Sequence, residues 1–399
     1  MESVRVGTPA GQSLYHIIVY LVSAWDTFHR RPMLEALARN ALGQAHVLLV
    51  NPMLSVLELS RARNKTQVRR LSENMALLTP VVWLPGAGRL PLLAHLRKRT
   101  LTAQIEDALR RTGPPDARRI EWVFRPEQLS RVGLARDSFV VYECYDEYTR
   151  SQHDGAPLPE LAKQEDTLLT KAGLVLTTSD SLYRSRSARH PRVVYTPNGV
   201  DYDLFAHARL PALPVAKELE SIPSPRIGFV GNASETTLDY SLLEELAGRR
   251  PEWSLVLVGP AEDVSADTRR RLTGRGNVYF IGWVERRRLP SFLKGFDVAL
   301  IPFSTHPWNA ARNPLKLWEY MAAGRPAVAT RIPEVEKYAE VVSIAESPSE
   351  FEAAVCAALE HPSPDRLRRG AELAQEHSWE HLTRQTLAEV LTAASAQRA

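Results

Sequence analysis

At 399 residues the chain is longer than one hydrophobic core ordinarily organises, so two domains of common size are expected. Hydrophobic residues at 44% and charged residues at 24% exclude a disordered or fibrous protein. A formal net charge of +4 could mean nucleic acid or anionic lipid, but with arginines scattered among acids it reads first as a solvated basic surface.

Cys144 and Cys356 are the only cysteines, far apart and without metal-ligand spacing. Neither a disulfide framework nor a thiolate metal site is expected, and a reducing cytoplasm fits. The N-terminus lacks a signal-peptide pattern, and no stretch approaches the roughly 18 apolar residues of a membrane span. Neither secretion nor membrane insertion is expected.

Short apolar or β-branched runs alternate with helical patterns, the signature of a parallel sheet covered on both faces. In the first half the expected strands are His16 to Val22, His46 to Val50, Val81 to Leu84, Arg119 to Phe124, Ser138 to Glu143, Leu174 to Thr177 and Arg192 to Tyr195. Leucines at helical spacing from Leu90 to Arg111 alternate with Arg97, Lys98, Arg99, Arg110 and Arg111. Such a helix suits peripheral contact with a membrane surface or an ordinary solvent-facing position. Pro211, Pro214, Pro223 and Pro225 then mark 208–225 as an extended linker.

Beyond it the pattern restarts at Ile227 to Val230, Trp253 to Val258, Asn277 to Phe280, Asp297 to Ile301, Ala327 to Thr330 and Val341 to Ile344. The reading is an α/β protein with two Rossmann-like domains, 1–207 and 226–378. A last helix, 379–399, has no strand left to cover in its own domain and is expected to return to the first. Two such domains place the C-terminal ends of both sheets around a shared cleft, where ligands bind in folds of this kind.

The strongest local feature is Asn313-Pro314-Leu315-Lys316-Leu317-Trp318-Glu319-Tyr320-Met321-Ala322-Ala323-Gly324-Arg325-Pro326. Asn313 is a favoured N-cap, Pro314 suits the first helical position, and Gly324 with Pro326 supplies a stop. The open N–H groups and dipole at that end attract an anion. Lys316 stands against the dipole, a placement that an arriving diphosphate would make favourable, and Arg312 would add a second charge. Glu319 faces the same side a turn deeper, where it can accept from ribose hydroxyls. The plain alternative is a capped helix with a solvated Lys316–Glu319 pair.

This stretch resembles the donor-site signature of family-4-type GT-B glycosyltransferases, in the branch reading N-P-L-K-L-x-E-Y-x-A-x-G-x-P. The likeness extends to Trp25-Asp26 through Arg31-Pro32, Tyr142 to Tyr148, Ser179 to Tyr183 and Pro197-Asn198-Gly199-Val200-Asp201, and is weakest from Val56 to Arg118. It implies the GT-B fold, with the backbone of Leu315 and the side chain of Lys316 on the donor pyrophosphate and Glu319 on ribose. It also implies a retaining enzyme that moves a sugar from a UDP or GDP sugar, in bacterial polysaccharide or glycoconjugate synthesis. The acceptor would be a glycan, a lipid-linked sugar or a small molecule. Two departures stand out. Ala311 occupies the place of the first glutamate of the family's Glu-x7-Glu pair, and Gly231-Asn232-Ala233-Ser234-Glu235 lacks the family's lysine.

Gly231 and Asn232 follow a strand of the second domain, where glycine lets backbone approach a ligand. By the resemblance, the loop of Gly282 and Trp283 holds the nucleotide base; core packing is the alternative for Trp283. Asp239 reads as a helix cap. The glycines of Pro85-Gly86-Ala87-Gly88 lack the rest of a dinucleotide fingerprint and read as a turn, which disfavours a nicotinamide-dependent oxidoreductase. In the first domain Asp146 is a candidate general base, with an N-cap role as the alternative. Trp25, Asp26, His29 and Arg31 are candidates to line the acceptor or to reach the donor phosphates. Asn198-Gly199 reads as a closing turn. With no DxD at a strand end, no metal and no cofactor are expected; Lys316, Arg312 and the helix terminus would stabilise the leaving diphosphate. A non-catalytic nucleotide-binding partner protein of the same fold is the rival reading.

Overall fold

The computed structural model describes residues 14–55, 68–82, 91–114, 116–306 and 308–397. The turn read at Pro85-Gly86-Ala87-Gly88 lies outside the described residues.

Each half of the chain builds a parallel sheet wrapped by helices. The first contains Tyr15–Tyr20 (β1), Ala45–Val50 (β2), Val68–Arg70 (β4), Met75–Leu78 (β5), Arg118–Val123 (β7), Ser138–Cys144 (β8), Leu174–Thr177 (β9) and Val193–Tyr195 (β10); Leu54–Ser55 (β3) and Val81–Val82 (β6) form a separate ladder. The main sheet runs β10-β9-β8-β7-β1-β2-β5-β4, parallel except for the antiparallel edge strand β4. Its central strands are apolar on both faces because helices cover both: every residue of β1 is buried.

The second sheet contains Arg226–Val230 (β11), Ser254–Val258 (β12), Val278–Gly282 (β13), Val298–Ile301 (β14), Ala327–Thr330 (β15) and Ser343–Ala345 (β16). All are parallel, in the order β13-β12-β11-β14-β15-β16. Counted from β11, this is the dinucleotide-fold order, whose sense reverses between β11 and β14 and opens a crevice there. In the first sheet the reversal falls between β1 and β7.

The strand expected at Val81 to Leu84 requires correction. Val81 and Val82 pair with Leu54 and Ser55, while the place beside β2 goes to Met75–Leu78. That run has no β-branched residue, and its pairing with β2 overrides its weak strand propensity. The basic helix spans Pro91–Thr112, with Leu101, Ile105, Ala108 and Leu109 buried and Leu96 exposed.

The proline-rich segment read as an extended linker packs against the second domain. Ala208, Ala216, Leu219 and Ile222 are buried in the second domain's core, and the Lys294 ammonium donates to the carbonyls of Leu210 and Pro211. The helices Pro348–Glu360 and Pro364–Glu376 belong to the second domain, and the last helix, Trp379–Ala396, returns to the first. Trp379, Leu387, Val390, Ala393 and Ala394 join the first domain's core, and Asn40 donates to the Glu380 carbonyl and the Thr383 hydroxyl. The chain thus crosses between domains twice, side by side: Val200 N–H donates to His377 O, and Trp379 N–H to Val200 O.

Candidate active site

The donor half of the site forms at the β11/β14 reversal. The helix Leu315–Ala322 is held by burial of Leu317, Trp318, Tyr320, Met321 and Ala322 and stops at Gly324, whose φ of 64° suits a residue without a Cβ. Trp318 stacks on His377 with ring centroids 3.7 Å apart. The Tyr320 hydroxyl accepts from Val230 N–H at 2.9 Å, fastening the helix to the end of β11.

That attachment lays the Lys316 side chain over Gly231. A Cβ on Gly231 would fall 2.3 Å from Lys316 Cε and 2.9 Å from Nζ, and Gly231 has a φ of 147°. Among the described residues, the Lys316 ammonium makes no ion pair or hydrogen bond, and the N–H groups of Leu315 and Lys316 have no acceptor. Two open N–H groups and one ammonium therefore meet beside a glycine backbone. Glu319, a turn deeper and half-buried, has no partner among the described residues either. Burial raises its carboxyl above the ordinary value, against the lowering pull of Lys316 and Arg286.

The cap assignment changes. The N-cap is Pro314, with extended backbone, rather than Asn313, and the helix proper begins at Leu315. Asn313 is drawn away because its amide is needed between the domains: it donates to Thr178 O at 3.0 Å, and its carbonyl accepts from Asn198 at 2.7 Å. Asn198 in turn accepts from Arg30 at 2.6 Å, so this residue read as a turn is a buried bridge. Gly282 has a φ of 82°, and Trp283 beside it is 72% exposed, which excludes core packing. Asn232 is also exposed. Asp239 caps the helix Tyr240–Arg249 by accepting from Leu242 N–H.

The first domain contributes loops from its own sheet reversal. Trp25 is buried in the core with its N–H on Asn51, so the reading of it as an acceptor-lining residue is corrected: its indole is spent on packing. Arg31 lies over the Trp25 ring and pairs with Glu35, which holds it on its own helix. Asp26 is exposed. His29 is exposed, with its ring edge-on to Tyr145 at 5.3 Å. Partial desolvation, followed by the charges of Arg30, Lys316, Arg125 and Arg312, lowers its imidazole below the ordinary value.

Asp146 and Arg312 meet across the seam. Arg312 Nε is 3.7 Å from Asp146 Oδ1, its guanidinium lies 4.1 Å from the centre of the Trp308 ring, and Nη1 donates to Thr237 at 3.0 Å. Burial raises the Asp146 carboxyl, with Arg312 the chief opposing charge. Asp146 caps no helix among the described residues; it is a half-buried carboxylate facing the second domain. Ala311 is buried and packs with the first domain's core, so the family's first glutamate would be enclosed at this position.

Local spacing left several participants silent. Arg30 is buried against Glu143, Arg125 follows β7, and Tyr145 and Tyr148 follow β8. Glu334 is buried at the seam, where it accepts from Asp180 N–H at 2.7 Å and Tyr195 at 2.9 Å. Their positions relative to strand ends were the available signal. Among the described residues, no three His, Cys, Asp or Glu side chains are grouped to hold a metal, and no helix is long and apolar enough to cross a membrane.

Two Rossmann-like domains, with a cationic helix start in one facing a carboxylate and a histidine in the other, define the GT-B class of fold. Residues 224–361 match the family model described as "Glycosyl transferases group 1". It is similar to a putative teichuronic acid biosynthesis glycosyltransferase, TuaH, of Bacillus subtilis, at 29% identity over 212 residues, 50% of this chain and 52% of the relative. The chain thus matches about half the length of that curated relative. Among solved structures, Anabaena HepE in complex with UDP and glucose is similar at 17% identity, with a TM-score of 0.63 over 94% of this chain and 99% of that one. An Escherichia coli protein described as trehalose-6-phosphate, bound with UDP-2-fluoro glucose, is similar at 14% identity and TM-score 0.63, over 94% and 99% of the two chains. These structural likenesses carry the fold.

Proposed function

We propose that this protein transfers a sugar from a nucleotide-diphosphate sugar to an acceptor hydroxyl. The observation that carries the reading is the unpartnered Lys316 ammonium over Gly231, beside the open N–H groups of Leu315 and Lys316. Departure of a nucleoside diphosphate builds negative charge, and fixed donors aimed at that charge lower the barrier by about 3 to 4 kcal/mol each in comparable anion holes. Lys316 and the helix start supply this stabilisation in a metal-independent reaction. Glu319 receives the ribose hydroxyls, and the exposed Trp283 with Gly282 and Asn232 forms the wall for the base. Bound UDP in the HepE structure and a UDP sugar in the Escherichia coli structure favour uracil as that base.

The acceptor lies on the first-domain side, near His29 and Asp26. Transfer proceeds with retention, the leaving phosphate taking the acceptor proton. Asp146 as base would instead favour inversion, and the anomeric configuration of the product separates the two routes. The teichuronic acid relative supports a role in bacterial polysaccharide synthesis at the cytoplasmic face of the membrane. There the basic helix Pro91–Thr112, with exposed Leu96, would rest on anionic lipid.

A thermal-shift panel of UDP, GDP, dTDP and their sugars tests the donor site. UDP or its sugar is expected to raise the melting temperature, and Lys316→Ala to weaken binding about tenfold or more by removing a charge-assisted contact. An undiminished shift in the variant would remove Lys316 from the proposal.

A further inference from the structure

Three polar side chains, Arg125, Tyr145 and Tyr148, meet in the first domain with no acceptor outside their own group. Tyr145 is 5% exposed and Tyr148 is 7% exposed, and beyond the loose contacts that the two hydroxyls and Arg125 make with one another, neither hydroxyl nor the enclosed Nε of Arg125 has a hydrogen-bond partner among the described residues. The groups are contiguous. Arg125 lies over the Tyr148 ring at 5.2 Å, Tyr148 meets Tyr145 edge-on at 5.5 Å, and Tyr145 meets His29 at 5.3 Å. Buried polar groups are ordinarily paired, because each one left unmatched carries a desolvation cost.

Nearby acceptors are already committed. The Gln128 carbonyl takes Phe124 N–H and Arg125 N–H, and the Glu147 carboxylate takes Arg186 and Thr149. Charges divide the same way. Arg30 is paired with Glu143, Arg312 faces Asp146, and Lys316 lies on the donor side. Among the described residues, Arg125 has no carboxylate within salt-bridge distance. The cluster also lies where a ligand would enter: Arg125 follows β7, His29 follows β1, and the sheet's order reverses between those strands.

We propose that Arg125, Tyr145 and Tyr148 form an anion subsite for the acceptor, so that the accepting sugar bears a carboxylate or a phosphate. This rests on the transferase reading above and adds the acceptor's chemical class. A planar guanidinium flanked by two phenolic donors suits the oxygens of either group.

Titration calorimetry on the full chain tests it, using hexoses, their 6-phosphates and the matching uronic acids, with and without UDP. Sugars of at least one anionic class are expected to bind about tenfold or more tightly than their neutral counterparts. Arg125→Met should bring that ratio near one, Tyr148→Phe should reduce it severalfold, and Arg125→Lys should fall between. Lys316→Ala should leave it intact while weakening UDP. The better anionic series identifies carboxylate or phosphate as the source. Equal binding of neutral and charged sugars, no binding by any of them, or a preference that survives Arg125→Met overturns the subsite. The UDP titrations report on the transferase reading separately, and Tyr148→Phe, isosteric in its pocket, provides a readout should Arg125→Met fail to fold.

Discussion

Asp146 is a half-buried carboxylate, and its protonation links the seam to stability. Burial places its carboxyl above the ordinary value of 3.8, and Arg312 at 3.7 Å compensates only in part. The folded protein therefore binds this proton more tightly than the unfolded chain does. Such a group lowers stability as pH rises from about 3.8 through its raised folded value, and is neutral to stability below that window. Asp146→Asn, which cannot ionise, is expected to be more stable than the parent at neutral pH by about 1 kcal/mol. The difference should vanish as pH falls below 3.8. Thermal denaturation across a pH series checks this; a variant that melts lower at neutral pH would mean that the contact with Arg312 outweighs dehydration. If Asp146 is also the base, the same variant loses transfer while keeping UDP binding.

The loops after β11 and β12 and the start of the helix Leu315–Ala322 interlock through two glycines, which predicts two different failures. In Gly231→Ala the new methyl meets the movable end of Lys316, with Cε at 2.3 Å, whereas in Gly259→Ala it meets the Gly231 carbonyl oxygen at 2.0 Å. The first variant should fold, at a cost of about 1 to 3 kcal/mol for a strained φ, and lose nucleotide binding as Lys316 is displaced. The second drives a methyl into backbone and should lose more stability than the first. Denaturant midpoints with UDP titrations separate them, and equal stability of the two would contradict the close packing of Gly259 on Gly231. The sheets themselves are legible in the sequence because strands buried on both faces appear as apolar, β-branched runs. Met75–Leu78 escapes because its residues carry no strand signature and only its pairing with β2 defines it. The helix of Lys316 is legible from its periodic apolar face and Gly324, but its start is displaced because the seam claims Asn313. The approach of Lys316 to Gly231 depends on topology, as does the convergence of Arg125, Tyr145 and Tyr148, and neither leaves a local motif.

Two parallel chain crossings, at Val200 and Trp379, join the domains, and a third connection holds their relative pose. Glu334, in the short helix Pro333–Glu336 after β15, accepts from the backbone of Asp180, from Tyr195 and from Lys337, and Lys337 also pairs with Asp180 at 2.9 Å. Asn313 reaches the same carboxylate at 3.4 Å while donating to Thr178, so the donor helix and the first domain share one polar strap. Glu334→Ala would leave a backbone N–H and a phenol without their acceptor and a lysine without its nearest charge, a loss of about 2 to 4 kcal/mol. Glu334 bonds across the seam, to Asp180 and Tyr195, so this loss should fall mainly on the coupling between domains. Calorimetry is expected to show a single unfolding transition in the parent and a broadened or divided one in Glu334→Ala. Glu334→Gln, which keeps an acceptor but loses the charge, should lie between them. Because Lys316 belongs to one domain and His29 to the other, a loosened seam should also weaken transfer more than UDP binding, if the donor site lies in the second domain as proposed. Equal losses of both would mean that Glu334 acts on the donor helix itself, through Asn313, and that the strap does not govern how the domains meet.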